Sequence, residues 1–296
     1  MKSKPASIVH PNATPVELDL SDFLYEAFDA STFADVKSWS TFYDTIPKDP
    51  YIKEGYRYKA IGWFRIKHTK ATAIQGIDAH IAEVNELSGM TKHESDSYLS
   101  TTNPTWRSAE TGYECWNLPQ YAMQQSIKYN PVHGDIRREY PRISNAIIDS
   151  DDFHALLVHY ASYFDWSDAI VLVQFQRVDC LPNRAGLPAV EGFHQDGNRH
   201  VGMFVVNRNN ITEDSGISQY ALDEDGKKSE TLVFDSVIPA GQLIYWNDKR
   251  VWHYGTELKI ADPAANGGRG TRDIIIMSAK TPPANMPIGP VPKQYR

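Results

Sequence analysis

Val190–Asn207, VEGFHQDGNRHVGMFVVN, decides how this chain is read. His194 and Asp196 stand at i and i+2, ahead of an apolar run with the β-branched and aromatic character of a strand. In an extended segment those two positions point to the same face, so an imidazole and a carboxylate project into one space. Two mixed N/O ligands call for a third. His253 is the candidate, in GQLIYWNDKRVWHYGTE (241–257), after an apolar strand, an Asn-Asp turn and a tryptophan. Two His and one carboxylate on one face form the ligand set of non-haem Fe(II), which leaves positions open for a co-substrate and O2. H-x-D by itself is common and equally describes a polar turn. Its context, between a Pro/Gly loop (Pro182–Pro188) and a strand, is what favours a metal.

Outward from this stretch the chain reads as short strands. AIVLVQFQRV (169–178), TLVFDSV (231–237), GQLIYW (241–246) and DIIIMSA (273–279) are separated by turn-rich pieces such as ALDEDGKKSE and ADPAANGGRG. That spacing predicts an antiparallel double-sheet barrel, whose mouth would bring the His194 and His253 strand ends together. Upstream, YRYKAIGWFRIK (56–67) reads as a strand. Three stretches carry helical spacing: LDLSDFLYEAF (18–28), Ala73–Leu87 with Gly89 as its stop, and Ser150–Phe164 with Ser150 as its cap. Residues 88–145 read as loops and short elements. No internal repeat or linker is visible, so 1–296 is expected to be a single domain. Its parts are a leader (1–16), a mainly helical and loop part (17–167) and a β core with the metal site (168–280). The expected class is α+β, mainly β, with the N-terminal helices packed outside a jelly-roll core.

Composition narrows the function. The 296 residues carry a net charge of −7 and no basic stripe, which argues against nucleic acid as a partner. Hydrophobic residues at 41% and charged residues at 23% fit a soluble globular protein. Two cysteines, Cys115 and Cys180, exclude a disulfide framework and a Cys-based zinc or iron–sulfur site. The first residues lack the apolar core of a secretory signal, and no run of about 18 apolar residues could span a bilayer. The expectation is a cytoplasmic protein with no membrane partner.

An anchor for an organic acid follows next. Arg272 opens the apolar strand after the glycine-rich turn, and a guanidinium there would clamp the far end of a dicarboxylate. Arg269 competes for that role, and a surface Arg after a turn fits the spacing equally well. The glycines at 267, 268 and 270 do not form a phosphate loop, because a strand follows and no GxxxxGK[ST] is present. HExxH, G-x-S-x-G and CxxC are absent. Asp149, Asp151 and Asp152 are better explained by the dipole of the helix they precede than by a metal.

EGFHQDGNRHVGMFVVNRNNI, GQLIYWNDKRVWHYGTELK and TRDIIIMSA together resemble the 2-oxoglutarate/Fe(II)-dependent dioxygenase family that includes the bacterial isoleucine dioxygenases. QSIKYNPVHGDIRREYPRI (125–143) and the VQFQRV strand are similar to further family segments, so the resemblance spans roughly Tyr56 to Ala279. It implies a double-stranded β-helix, Fe(II) bound by His194, Asp196 and His253, and 2-oxoglutarate chelating that metal with its distal carboxylate on Arg272. It also implies hydroxylation of a free aliphatic amino acid with O2, through a ferryl species, releasing succinate and CO2. Arg138, Tyr140 and Gln176 are the substrate-contacting candidates from the matching segments. Related halogenating enzymes replace the carboxylate ligand by a small residue, and here Asp196 retains it. Desaturation or ring closure uses the same ligands. Beside these stand a cupin-like isomerase or small-ligand binder on the same barrel and, more weakly, a zinc hydrolase; a buried, clamping Arg272 would separate the oxygenase from both.

Overall fold

Strand alternation sorts this chain onto the two sides of one large sheet. The computed structural model describes residues 26–30, 34, 36–54, 56–69, 103–130, 134–164, 166, 168–198, 200–223 and 232–279. Eight of its strands form the major sheet: β1 (Glu26–Asp29), β2 (Arg57–His68), β3 (Trp106–Arg107), β4 (Tyr113–Asn117), β5 (Asp168–Cys180), β6 (His200–Asn209), β9 (Gln242–Asn247) and β11 (Gly270–Ala279). Their order is β1-β9-β6-β11-β5-β2-β4-β3, every pairing antiparallel. A minor sheet, β10 (Trp252–Gly255), β7 (Ser218–Ala221) and β8 (Leu232–Ser236) in that order, packs on it.

The register decides which residues share a face. Lys59 pairs with Gln176 and Gln176 with Ile274; Ile61 pairs with Gln174 and Gln174 with Ile276; Arg57 pairs with Val178 and Val178 with Arg272. Side chains alternate along a strand, so these three rows lie on one face and Ala60, Phe175 and Ile275 on the other. The latter face belongs to the principal core, with Phe64, Phe153, Leu157 and Tyr160. A second core lies between the sheets, where Val201, Val205 and Ile274 meet Tyr220 and Phe234. This is the jelly-roll architecture expected from the strand pattern.

Three short or regular helices are described: α1 (Ser40–Tyr43), α2 (Asn145–Ile148) and α3 (Asp151–Tyr163). The last is the predicted amphipathic helix. Ser150 Oγ accepts from the Phe153 N–H at 3.3 Å, Asp151 and Asp152 occupy the first turn, and Phe153, Leu156, Leu157 and Tyr160 are buried. Among the described residues no helix is long and apolar enough to cross a membrane.

The part read as mainly helix and loop contributes β1, β2, β3 and β4 to the major sheet, and β2 runs along the length of β5. Ala27, assigned to a helix by its spacing, lies in β1 opposite Ile244 of β9. A short apolar spacing does not outweigh the open backbone groups of a sheet edge. The leader, the rest of that predicted helix and Ala73–Leu87 lie outside the described residues.

One acid-sensitive element is built into α3. His154 is buried and stacked on Trp106 with ring centroids 4.6 Å apart, and burial pushes its imidazole down from 6.5 to about 4 against the pull of Asp151 and Asp149. The unfolded chain therefore takes this proton first. The resulting stability is present above pH 6.5 and is lost as pH falls from there towards 4, at most about 3 kcal/mol over the interval. Urea unfolding at pH 7, 5.5 and 4.5 is expected to show a shallower acid decline for His154→Phe than for the wild type. Parallel declines would refute this account.

Candidate metal centre

β10 carries His253, and the HQDG loop ahead of β6 carries His194 and Asp196. A two-way backbone bridge joins them: the His194 N–H donates to His253 O at 3.0 Å, and the His253 N–H to His194 O at 2.9 Å. The rings consequently lie 4.2 Å apart by centroid. His194, Asp196 and His253 each offer a ligand atom, and those atoms lie within 4.8 Å of one another. Among the described residues this is the group of His, Cys, Asp or Glu side chains that could hold a metal ion.

Each donor is oriented by a neighbour. His194 Nδ1 sits 2.9 Å from Gly192 O, which takes an N–H there and leaves Nε2 as the lone-pair donor. Asp196 Oδ1 accepts from Gln125 Nε2 at 2.7 Å, while Oδ2 faces His253 Nε2 at 3.8 Å. The central orienting group is Asp248, 0% exposed. Its Oδ2 accepts from the backbone N–H groups of Asp196 (2.7 Å), Gly197 (2.9 Å) and Asn198 (3.3 Å). Its Oδ1 lies 3.0 Å from His253 Nδ1 and faces it with a carboxylate. Burial disfavours charge on both histidines. On His194, burial and the nearby His253 lower the imidazole; on His253, Asp248 with Asp196 and Glu191 outweighs burial and raises it. Gly197 takes φ +79°, and a Cβ there would come within 2.6 Å of the Tyr129 ring, so the glycine of HQDG is required twice over.

These donors open into a solvent-connected cleft between the two sheets. At one end Arg272 is 3% exposed, with its Nε unpartnered and its Nη2 touching Ser218 Oγ (3.2 Å) and Met203 Sδ (3.9 Å). Burial, helped by repulsion from Arg208, pushes its guanidinium down to about 10, still charged at neutral pH. Elsewhere the cleft is lined by Arg57, Lys59, Arg138 and Glu191. Lys59 donates to Gln174 Oε1 at 3.0 Å, and burial with the nearby Arg57 pushes its ammonium down to about 7.

The sequence candidates divide as follows. His194, Asp196, His253, Arg272, Arg138 and Gln176 all line the cleft. Tyr140 does not: it is buried in a separate aromatic cluster, with its hydroxyl on Asp49 Oδ2 at 3.3 Å. Arg269 is likewise outside the cleft, donating to Asp179 Oδ2 at 3.0 Å. Sequence reading passed over Asp248, Glu191, Gln125, Arg57 and Lys59. Charges at alternate positions inside the aromatic strand YRYKAIGW were a legible signal for the last two, because a buried strand carries charge only toward a polar space.

The family model for 2OG-Fe dioxygenases matches residues 100–278, more than half of the chain. No curated relative matches. Among solved structures, a bsmA homolog from Methylobium petroleophilum PM1 is similar at 19% identity and TM-score 0.58, over 86% of this chain and 84% of that one. The Fe(II)/α-ketoglutarate-dependent dioxygenase TqaL is similar at 13% and 0.54, over 91% and 87%. IDO from Bacillus thuringiensis is similar at 12% and 0.52, over 86% and 89%. At such identities the likeness is one of fold.

Proposed function

The chain belongs to the 2OG-Fe dioxygenase family, whose members use Fe(II) and 2-oxoglutarate, and on that premise we propose how its cleft performs a 2-oxoglutarate- and O2-dependent oxidation. His194, Asp196 and His253 hold Fe(II), Arg272 holds the far carboxylate of 2-oxoglutarate, and the product is a hydroxylated free aliphatic amino acid. The observation that carries this is Arg272. A buried guanidinium with an unpartnered N–H, in the same cleft as a convergent His/Asp/His group, calls for an anion that the described residues do not provide there.

The donor set fits the metal: two imidazoles and one carboxylate, on one side, match a non-haem Fe(II) site. Bound iron with 2-oxoglutarate and O2 supplies the oxidant for an unactivated C–H bond. The chain's residues do the rest. Gly192 O and Asp248 hold the two imidazoles in orientation, Gln125 and the loop N–H groups hold Asp196, and Ile274 and Ile276 line the cleft with apolar surface beside the reacting groups. Arg272 fixes one end of the co-substrate and thereby the direction from which it reaches the donors.

The test is anaerobic titration of Fe(II) and 2-oxoglutarate, following the weak visible charge-transfer band of the chelate. The wild type is expected to develop the band and His253→Ala to lose it, after which an amino-acid panel is scored by succinate release. Folded, iron-loaded wild type without the band would overturn the proposal.

A further inference from the structure

A single amide joins the carboxylate of Asp196 to a guanidinium outside the donor group. Met123 and Arg138 exchange backbone hydrogen bonds, the Met123 N–H to Arg138 O at 2.7 Å and the Arg138 N–H to Met123 O at 2.9 Å. Gln125, inside the loop this closes, is buried. Its Nε2 donates to Asp196 Oδ1 at 2.7 Å, and its Oε1 accepts from Arg138 Nη2 at 2.6 Å and from Asn130 Nδ2 at 3.4 Å. Tyr129 of the same loop closes on Gly197, next to Asp196. The direction of these bonds is fixed by chemistry. A guanidinium only donates and an ionised carboxylate only accepts, so an amide between them turns its oxygen to Arg138 and its NH2 to Asp196. With Oδ1 held, Asp196 offers the ion Oδ2, the oxygen that faces His253 Nε2 at 3.8 Å. A carboxylate free to rotate would present both oxygens and take a position that a co-substrate or O2 needs.

We propose that Arg138 is a positioning residue for the metal centre: acting through the Gln125 amide, it holds Asp196 as a one-oxygen ligand. This rests on the metal site of the oxygenase reading, and it reassigns a residue that the family resemblance offers to the substrate. Arg138 lines the cleft but is 1% exposed, and its short hydrogen bond goes to Gln125. Turning it toward a substrate would leave Gln125 Oε1 with the longer Asn130 contact among the described residues. The bonds also reinforce one another along the chain, because a charged donor on the amide oxygen strengthens the N–H that the amide gives to Asp196.

The experiment titrates the full chain with Mn(II) alone, with no substrate present. Affinity is read from the EPR signal of the free ion, and water-proton relaxation counts the waters left on the bound ion. Gln125→Met is expected to lower Mn(II) affinity about 10–100-fold, as loss of a partner that orients a ligand does, and to leave one water fewer on the ion. Arg138→Met is expected to lower it about 3–10-fold, the worth of one hydrogen bond, with the same loss of water. Arg138→Lys, which keeps a charged donor, is expected to recover most of that. The double variant is expected to bind Mn(II) no more weakly than Gln125→Met, because without the amide Arg138 has no route to Asp196. Arg138→Gln, neutral and polar, takes the place of Arg138→Met in this cycle if the latter does not fold. Wild-type Mn(II) affinity and water count in the Arg138 variant would overturn the proposal, as would losses that add in the double variant. His253→Ala separates the failures. If it abolishes Mn(II) binding, the metal site stands and only the role of Arg138 is at stake; if it leaves binding unchanged, the metal site falls and takes this inference with it.

Discussion

Arg272→Met is expected to weaken 2-oxoglutarate binding by about 100–1,000-fold and, at the same time, to raise the melting temperature of the metal-free protein. The two effects have one cause. Arg272 is buried on β11 between Ser218 and Met203, with Arg208 near enough to repel it. In the absence of a dicarboxylate it is a buried cation whose desolvation is uncompensated, and replacing such a group by an apolar side chain of similar volume is commonly stabilising. With the dicarboxylate present, the guanidinium supplies a planar two-pronged contact that a thioether cannot, and losing it costs about 3–4 kcal/mol. The measurements are the 2-oxoglutarate dependence of the chelate band and thermal denaturation without metal. An unchanged 2-oxoglutarate affinity in Arg272→Met would remove Arg272 from the co-substrate site. A lowered melting temperature would show that its contacts within the fold outweigh its desolvation.

Asp248→Ala is expected to lower Fe(II) affinity by about 10–100-fold and to destabilise the fold by about 3–5 kcal/mol, although Asp248 is not among the proposed ligands. Its carboxylate gathers the N–H groups of Asp196, Gly197 and Asn198 and stands against His253 Nδ1, so one side chain orients parts of the site that come from two separate segments. Alanine leaves those buried donors unpaired and frees the loop that places Asp196. Asp248→Asn keeps one acceptor oxygen and is expected to recover part of the stability but less of the metal affinity, since the charge facing His253 is gone. Metal titration with chemical unfolding on the same samples separates these effects. Wild-type metal affinity in Asp248→Ala would show that the loop is held by its other contacts.

The sequence by itself determined the longer strands, β2, β5, β6, β8, β9 and β11, the helix after Ser150 and the residue types of the candidate site, because each depends on local pattern. Apolar and β-branched runs between turn signals have few alternatives to a sheet, and Ser150 caps its helix from next door. That Arg272 and not Arg269 lines the cleft was latent in β11: period-two alternation puts Arg272 on the face of Ile274 and Ile276, and Arg269 precedes the strand. Only the tertiary structure decided what depends on distant segments meeting. β1 became a strand because β9 offered it an open edge. Tyr140 was drawn to Asp49 and left the cleft, although it lies close to Arg138 in sequence. The bridge between His194 and His253 and the grip of Asp248 on the HQDG loop both arise from hydrogen bonds and charges across folded elements. Sequence spacing does not encode these contacts, because what selects them is the cost of leaving a buried polar group unpaired.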